Sequence, residues 1–365
     1  MVSISLCMIA RDEEAVLGRC LACVQGIADE MIVVDTGSTD GTKAIAEAFG
    51  ARVYDFAWRD DFAAARNAAF EQATKEYILW LDADDVIDED NRQRLLSLKQ
   101  SLNPAVDVVM MRYHIAFDQQ NKPTYTFFRE RLLRRAAGFR WQGRVHEAIV
   151  PSGHVIWDET AICHRKMAPR DPGRNLRIYR RMMQEGEALT PRDRFYCARE
   201  LAAMGEIDEA IAMLHRCVDD PETWLENRIH ACRDLAVLYC KREETGLALD
   251  ALTRSFTLGT PRAEVCCELG RIFQQRGDYQ SAIFWYAAAP TCAPGDAGGG
   301  FALPECSGYI PYLQLCVCHG KLGQYELAEK YNEKAAAEKP GDAAVENNRV
   351  FFENRRAGRD IEPDT

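Results

Sequence analysis

Four apolar runs in the first 81 residues alternate with stretches of helical periodicity, and that alternation confines this half of the chain to one kind of sheet. The runs are SISLCMIA (3–10), EMIVVD (30–35), ARVYDF (51–56) and YILWL (77–81). Between them lie DEEAVLGRCLACV (12–24), with acids in its first turn, DGTKAIAEAFG (40–50), closed by Gly50, and the alanine-rich DFAAARNAAFEQA (61–73). Strands apolar on both faces and joined through helices predict a parallel sheet covered on both sides. VDVVMMRYHI (106–115) and RVHEAIVPSGHVIW (144–157) are strand-rich and predict an antiparallel or mixed addition to it.

After about residue 190 only helical patterns remain. GEIDEAIAMLHRC (205–217), TGLALDALTRSF (245–256), GDYQSAIFWYAAA (277–289) and GQYELAEKYNEKA (323–335) are alike, and Ala210, Ala248, Ala282 and Ala328 recur at equivalent places. A period near 34 with this core resembles the tetratricopeptide repeat, a stack of helix pairs. The small alanine lets paired helices approach, and the glycine ends the helix before it. PTCAPGDAGGGFALPECSG (290–308) reads as a loop inserted in the array. The predicted boundaries are an α/β domain over 1–170, a helical linker over 171–190, about four repeats over 191–342 and a polar tail over 343–365.

Composition narrows the partners. A net charge of −11 argues against broad nucleic-acid binding, though backbone amides and a metal can still hold an anionic small ligand. The 14 cysteines are scattered, several inside apolar helical patterns; Cys20 and Cys23 form a C-x-x-C with no second pair. These predict buried, reduced thiols and a cytoplasmic location. The N-terminal run lacks a basic segment and a cleavage site, so no signal peptide is expected, and no apolar stretch predicts a membrane span.

In a parallel sheet, ligands bind beyond the carboxyl ends of the strands. Three polar clusters fall at such ends: Arg11-Asp12-Glu13-Glu14, TGSTDGT (36–42) and Asp82-Ala83-Asp84-Asp85. Asp35 belongs to a strand end, where its carboxylate can accept hydrogen bonds from a base or ribose. Asp82 and Asp84 lie on one side of the extended chain, and two adjacent carboxylates stay ionised only with a cation nearby. Hard ions such as Mg²⁺ or Mn²⁺ favour carboxylate oxygens together with a diphosphate. Asp85 is placed to cap the next helix, near Glu89.

ISLCMIARDEE, IVVDTGSTDGT, DDFAAARN (60–67) and YILWLDADD, in that order, resemble a family 2 glycosyltransferase of the GT-A, Rossmann-like fold. With repeats behind it, the chain is similar to bacterial transferases that glycosylate peptides or proteins, including bacteriocin S-glycosyltransferases. The resemblance implies a nucleotide-sugar donor, a divalent metal and inversion at the anomeric carbon. It implies that Asp35 contacts uracil or ribose, and that Ala10, Asp12 and Glu14 flank the base. It implies that Asp84 ligates the metal, with Asp82 on the ribose or metal, and that Arg66 contacts the diphosphate. In WQGRVHEA (141–148) it points to Glu147 as general base, with His146 the alternative, and to Trp141 as an apolar wall for the sugar. His164 matches a terminal metal-holding histidine.

The reading that follows is transfer of a hexose or N-acetylhexosamine from a nucleotide sugar, UDP-linked, to a peptide or protein held partly by the repeats. A cell-surface or lipid-linked glycan is the alternative acceptor, and a non-catalytic, repeat-based interaction protein the alternative class. The repeats could equally serve homodimerisation.

Overall fold

The structure, a computed structural model, describes residues 1–118, 120–165, 171–293 and 303–359. The chain divides into two compact units, Met1–Glu200 and Leu201–Thr365.

The first unit opens as its apolar runs dictate: β1 (Ile4–Ala10), α1 (Leu17–Cys23), β2 (Glu30–Asp35), α2 (Thr42–Ala48), β3 (Arg52–Asp55), α3 (Phe62–Glu71) and β4 (Tyr77–Trp80). β5 (Asp85–Val86), α4 (Glu89–Ser101), β6 (Val108–Phe117), β7 (Pro123–Arg134) and β8 (Val155–His164) follow, then α5 (Arg174–Gln184) and α6 (Pro191–Ala203). One eight-stranded sheet results, in the order β3-β2-β1-β4-β7-β6-β8-β5. β1 pairs in parallel with β2 and β4, and β2 with β3, so their carboxyl ends share one edge. The mixed half arises because β7 runs antiparallel to β4 and β6, while β8 runs parallel to β6.

Alternation along β1 explains the two layers. Ile4, Leu6, Met8 and Ala10 enter a core with Leu17, Leu21 and Leu95, whereas Cys7 faces a second core with Ala69, Phe70, Trp80 and Trp141. Two expectations change. Residues 144–154 form a loop, not a strand. The linker expected over 171–190 falls in the first unit, with Leu176, Ile178 and Tyr179 of α5 buried, and so do residues 191–200, expected in the repeats, with Phe195 and Cys197 of α6 buried. Residues 166–170, at the expected domain end, lie outside the described residues.

The second unit contains α7 (Ile207–Asp219), α8 (Leu225–Lys241), α9 (Thr245–Arg254), α10 (Ala263–Gln275), α11 (Tyr279–Ala288), α12 (Tyr309–Lys321), α13 (Tyr325–Glu338) and α14 (Ala343–Arg356). The four repeat alanines fall on α7, α9, α11 and α13, and each is fully buried. The stretch expected as a polar tail is largely α14, capped by Asp342 and anchored by buried Val345 and Phe352; residues 360–365 lie outside the described ones. So do residues 294–302 of the Pro/Gly-rich insertion. Among the described residues no helix is long and apolar enough to cross a membrane.

Five residues before each repeat alanine, the backbone turns into the left-handed region. Gly205 (φ 82°), Gly277 (φ 75°) and Gly323 (φ 73°) supply it in three repeats; in the fourth, Glu243 adopts φ 62°. A side chain there is strained where glycine is not. Glu243→Gly is therefore expected to raise stability by about 1 kcal/mol, read as a higher denaturation midpoint in unfolding followed by helical circular dichroism. A lower midpoint would refute the equivalence of the four turns.

Candidate active site

β4 ends at Trp80, and the chain turns at once through Asp82, Ala83, Asp84 and Asp85. The turn closes on itself: Asp85 N donates to Asp82 O at 3.0 Å, and Asp82 N donates to Asp85 Oδ2 at 3.0 Å. Antiparallel pairing of β5 with β8 sets Asp85 opposite His164. His164 Nδ1 then lies 3.1 Å from Asp84 Oδ1 and 3.4 Å from Asp85 Oδ1.

Asp85 is not a helix cap; that place is taken by Asp88, whose Oδ1 accepts from Asn91 N at 2.9 Å. Asp85 is instead fully buried, with both oxygens engaged. Oδ2 accepts from Arg131 Nη1 at 3.0 Å and Oδ1 from the Tyr113 hydroxyl at 2.9 Å. Arg131 is itself fully buried, between the rings of Trp80 (3.7 Å) and Tyr113 (4.1 Å). Neither residue carried a signal in the sequence, since Arg131 lies in a strand run (RERLLR) among other arginines.

Arg66 joins the acids to the loop after β7. It is buried on α3, with Nη2 2.6 Å from Asp82 Oδ1 and Nε 2.5 Å from Glu147 Oε1. Burial alone would lower its pKa; Asp82 and Glu147 outweigh that and raise it. Burial would likewise raise the pKa of Asp82, but Arg66 and then Arg131 hold it well below the usual carboxylate range. For His164, burial disfavours the cation, yet hydrogen bonds and charge from Asp84 and Asp85 push its pKa up to about 10. Two arginines and an imidazolium thus lie among four carboxylates.

The other residues singled out from the sequence separate by role. Asp35, the last residue of β2, is buried; its Oδ1 accepts from Gly37 N and Ser38 N, while Oδ2 has no partner. Ala10 accepts from Thr36 N through its carbonyl at 2.9 Å. Asp12 Oδ1 accepts from Thr39 N (2.7 Å) and Glu14 Oε2 from Gly41 N (2.8 Å), tying the exit of β1 to the TGSTDGT loop. Trp141 is buried, edge-on to Trp80 at 4.8 Å, with the Arg66 guanidinium 4.8 Å from its ring. His146 faces Glu200 (Nε2 to Oε1, 2.8 Å) and stacks on Tyr196, so the acids and Arg66 gather Glu147 but not the His146 ring.

The donor set suits a hard divalent cation: Asp82, Asp85 and His164 each offer a ligand atom within 4.8 Å of the others, and Asp84 adjoins them. Carboxylate oxygens with one imidazole fit Mg²⁺ or Mn²⁺. Asp85 is the least available, because its oxygens are already taken.

A parallel half-sheet bearing such an edge defines a GT-A-type domain. Residues 5–156 match the model for glycosyl transferase family 2, and residues 263–289 match the tetratricopeptide repeat. The chain thus carries a family 2 glycosyltransferase domain followed by tetratricopeptide repeats. It is similar to a TPR repeat-containing protein of Synechococcus elongatus, 30% identical over 79% of this chain and 66% of that one. The SPbeta prophage-derived glycosyltransferase SunS of Bacillus subtilis is 26% identical over 64% of this chain and 57% of its own length. The lipopolysaccharide core biosynthesis glycosyltransferase LpsC of Rhizobium meliloti is 31% identical over 42% and 58%. The chain therefore spans somewhat less than two thirds of the length of these relatives.

Removing the charge of Asp85 strands Arg131 in the core. Asp85→Asn is expected to cost about 3–5 kcal/mol in denaturant unfolding. Adding Arg131→Met should restore part of that loss, since the pair is then replaced by neutral groups. A double variant less stable than either single one would refute the pairing.

Proposed function

We propose that the chain is a metal-dependent, inverting glycosyltransferase. It moves a hexose or N-acetylhexosamine from a nucleotide sugar, UDP-linked in this reading, to a peptide or protein. The supporting observation is the meeting of Asp82, Asp84 and His164 with the Arg66–Glu147 pair at the carboxyl edge of β4.

The unpartnered Asp35 Oδ2 accepts a hydrogen bond from the base or ribose. Asp84 and His164, with Asp82, would hold Mg²⁺ or Mn²⁺. When bound, the ion offsets the charge that builds on the departing diphosphate. Arg66 pairs with Glu147 and with Asp82, whose carboxyl it holds well below the usual carboxylate range, and is itself a cation for the diphosphate. Glu147, whose Oε1 is engaged by Arg66, takes the acceptor proton on Oε2. The acceptor oxygen or sulfur bonds to the anomeric carbon, the bond from that carbon to the phosphate oxygen breaks on the opposite face, and the configuration inverts.

Stacked helix pairs offer an extended concave surface, which favours a chain-like acceptor. A glycan acceptor is the second reading, favoured by the likeness to LpsC.

The test is hydrolysis of UDP-, GDP- and TDP-sugars by the purified protein with and without Mn²⁺. Asp84→Ala should lower Mn²⁺-dependent hydrolysis by about 100-fold or more, with the circular dichroism of the repeats unchanged; undiminished turnover would remove Asp84 from the metal site. Glu147→Gln should hold UDP affinity within about twofold while transfer falls about 100-fold or more. Loss of UDP affinity would assign Glu147 to donor binding instead.

A further inference from the structure

The loop bearing Glu147 is gripped from two sides. On one side is α3. Asn67 exchanges two hydrogen bonds with the main chain of Trp141, at 3.0 and 2.9 Å. Phe62 N donates to Arg144 O at 2.8 Å, and Arg66 engages Glu147. On the other side are α5 and α6. Arg192 Nε donates to His146 O at 2.9 Å, and Arg144 pairs with Glu185 at 2.9 Å.

The tightest grip from this second side is on His146. Its backbone is left-handed (φ 50°), an uncommon conformation for a residue with a side chain, though one that histidine adopts more often than most. Its surroundings are specific. The ring stacks on Tyr196, with centroids 4.2 Å apart and planes 12° apart. Nε2 lies 2.8 Å from Glu200 Oε1, which also accepts from Asn175 Nδ2 at 2.8 Å. A carboxylate only accepts, so Nε2 carries the hydrogen, and both the tautomer and the ring plane are fixed. Consecutive side chains are thereby sent to different partners: His146 to Glu200, Glu147 to Arg66.

We propose that Glu200 is a positioning residue for the transfer reaction: by holding the His146 ring it holds the left-handed turn that aims Glu147. This rests on the reading of Glu147 as the base. Glu200 touches neither donor nor acceptor in this account; it acts through the loop.

The experiment uses the full chain with Glu200→Ala, His146→Ala and the double variant. Amide hydrogen exchange is measured across residues 142–148 and across 77–86. Donor hydrolysis is followed with UDP-sugar and Mn²⁺. Exchange in 142–148 should quicken about tenfold or more in each variant while 77–86 keeps its protection. The hydrolytic kcat should fall about 10- to 100-fold, with KM for the donor within about twofold. The double variant should fall no further than the worse single one, since both changes break the same link. Glu200→Gln, which can still accept from His146 and Asn175, should rescue most of the rate. Unchanged exchange in 142–148, additive losses, or a raised KM at constant kcat would each overturn the proposal. Should Glu200→Ala not fold, His146→Ala and Glu200→Gln decide by the same readings. If the unaltered protein hydrolyses no donor, the transferase reading fails, and the exchange measurement still decides whether Glu200 holds the loop.

Discussion

A guanidinium sealed from water lets a core strand end in three carboxylates. Arg131 sits between two aromatic rings and holds Asp85, which in turn accepts from the main chain of Asp82 and from Tyr113. A buried charge is tolerated only when paired, and breaking such a pair leaves its partner stranded. The pair therefore fixes a turn that mutual repulsion would otherwise open. It also frees Asp82 and Asp84 from the task of stabilising their own segment, so their side chains can face the edge where His164 arrives.

Charge accounting supports the same reading. Asp82, Asp84, Asp85 and Glu147 face Arg66, Arg131 and His164, whose cationic form Asp84 and Asp85 favour. An imidazole that ligates a metal must shed its proton. On the proposed reading a divalent cation would take the place of that proton among the same carboxylates.

Much of this was legible in the sequence, for identifiable reasons. The parallel strands could be read because their side chains are apolar on both faces, and the site edge because each such strand runs into polar residues. The repeats could be read because the same short motif, with a buried alanine at its centre, recurs four times. What was not legible depends on contacts distant in sequence. Arg131 looks like any strand arginine until β4 is laid beside β7. Asp85 looks like a cap because caps and buried ion-pair partners share the same residue type. His146 was placed by proximity to Glu147 along the chain, but alternate side chains of an irregular loop face different ways. α14 was hidden by a polar composition that buries only Val345 and Phe352.

The loop that bears Glu147 is not held by the sheet alone. β1, β2 and β4, near one another in sequence, supply most of the acidic edge, and β8 brings His164 to it from further along the chain. Glu147 comes from outside the parallel half, on a loop closed by an isolated bridge between Gln142 and Ala148. Beyond that bridge and the main-chain bond from Phe62 to Arg144, side chains from α3 and from α6 hold it. The helices after the sheet, α5 from the expected linker and α6 beyond it, therefore belong with it: α6 supplies Arg192, Tyr196 and Glu200, which hold His146 beside Glu147, and Asn175 of α5 donates to Glu200.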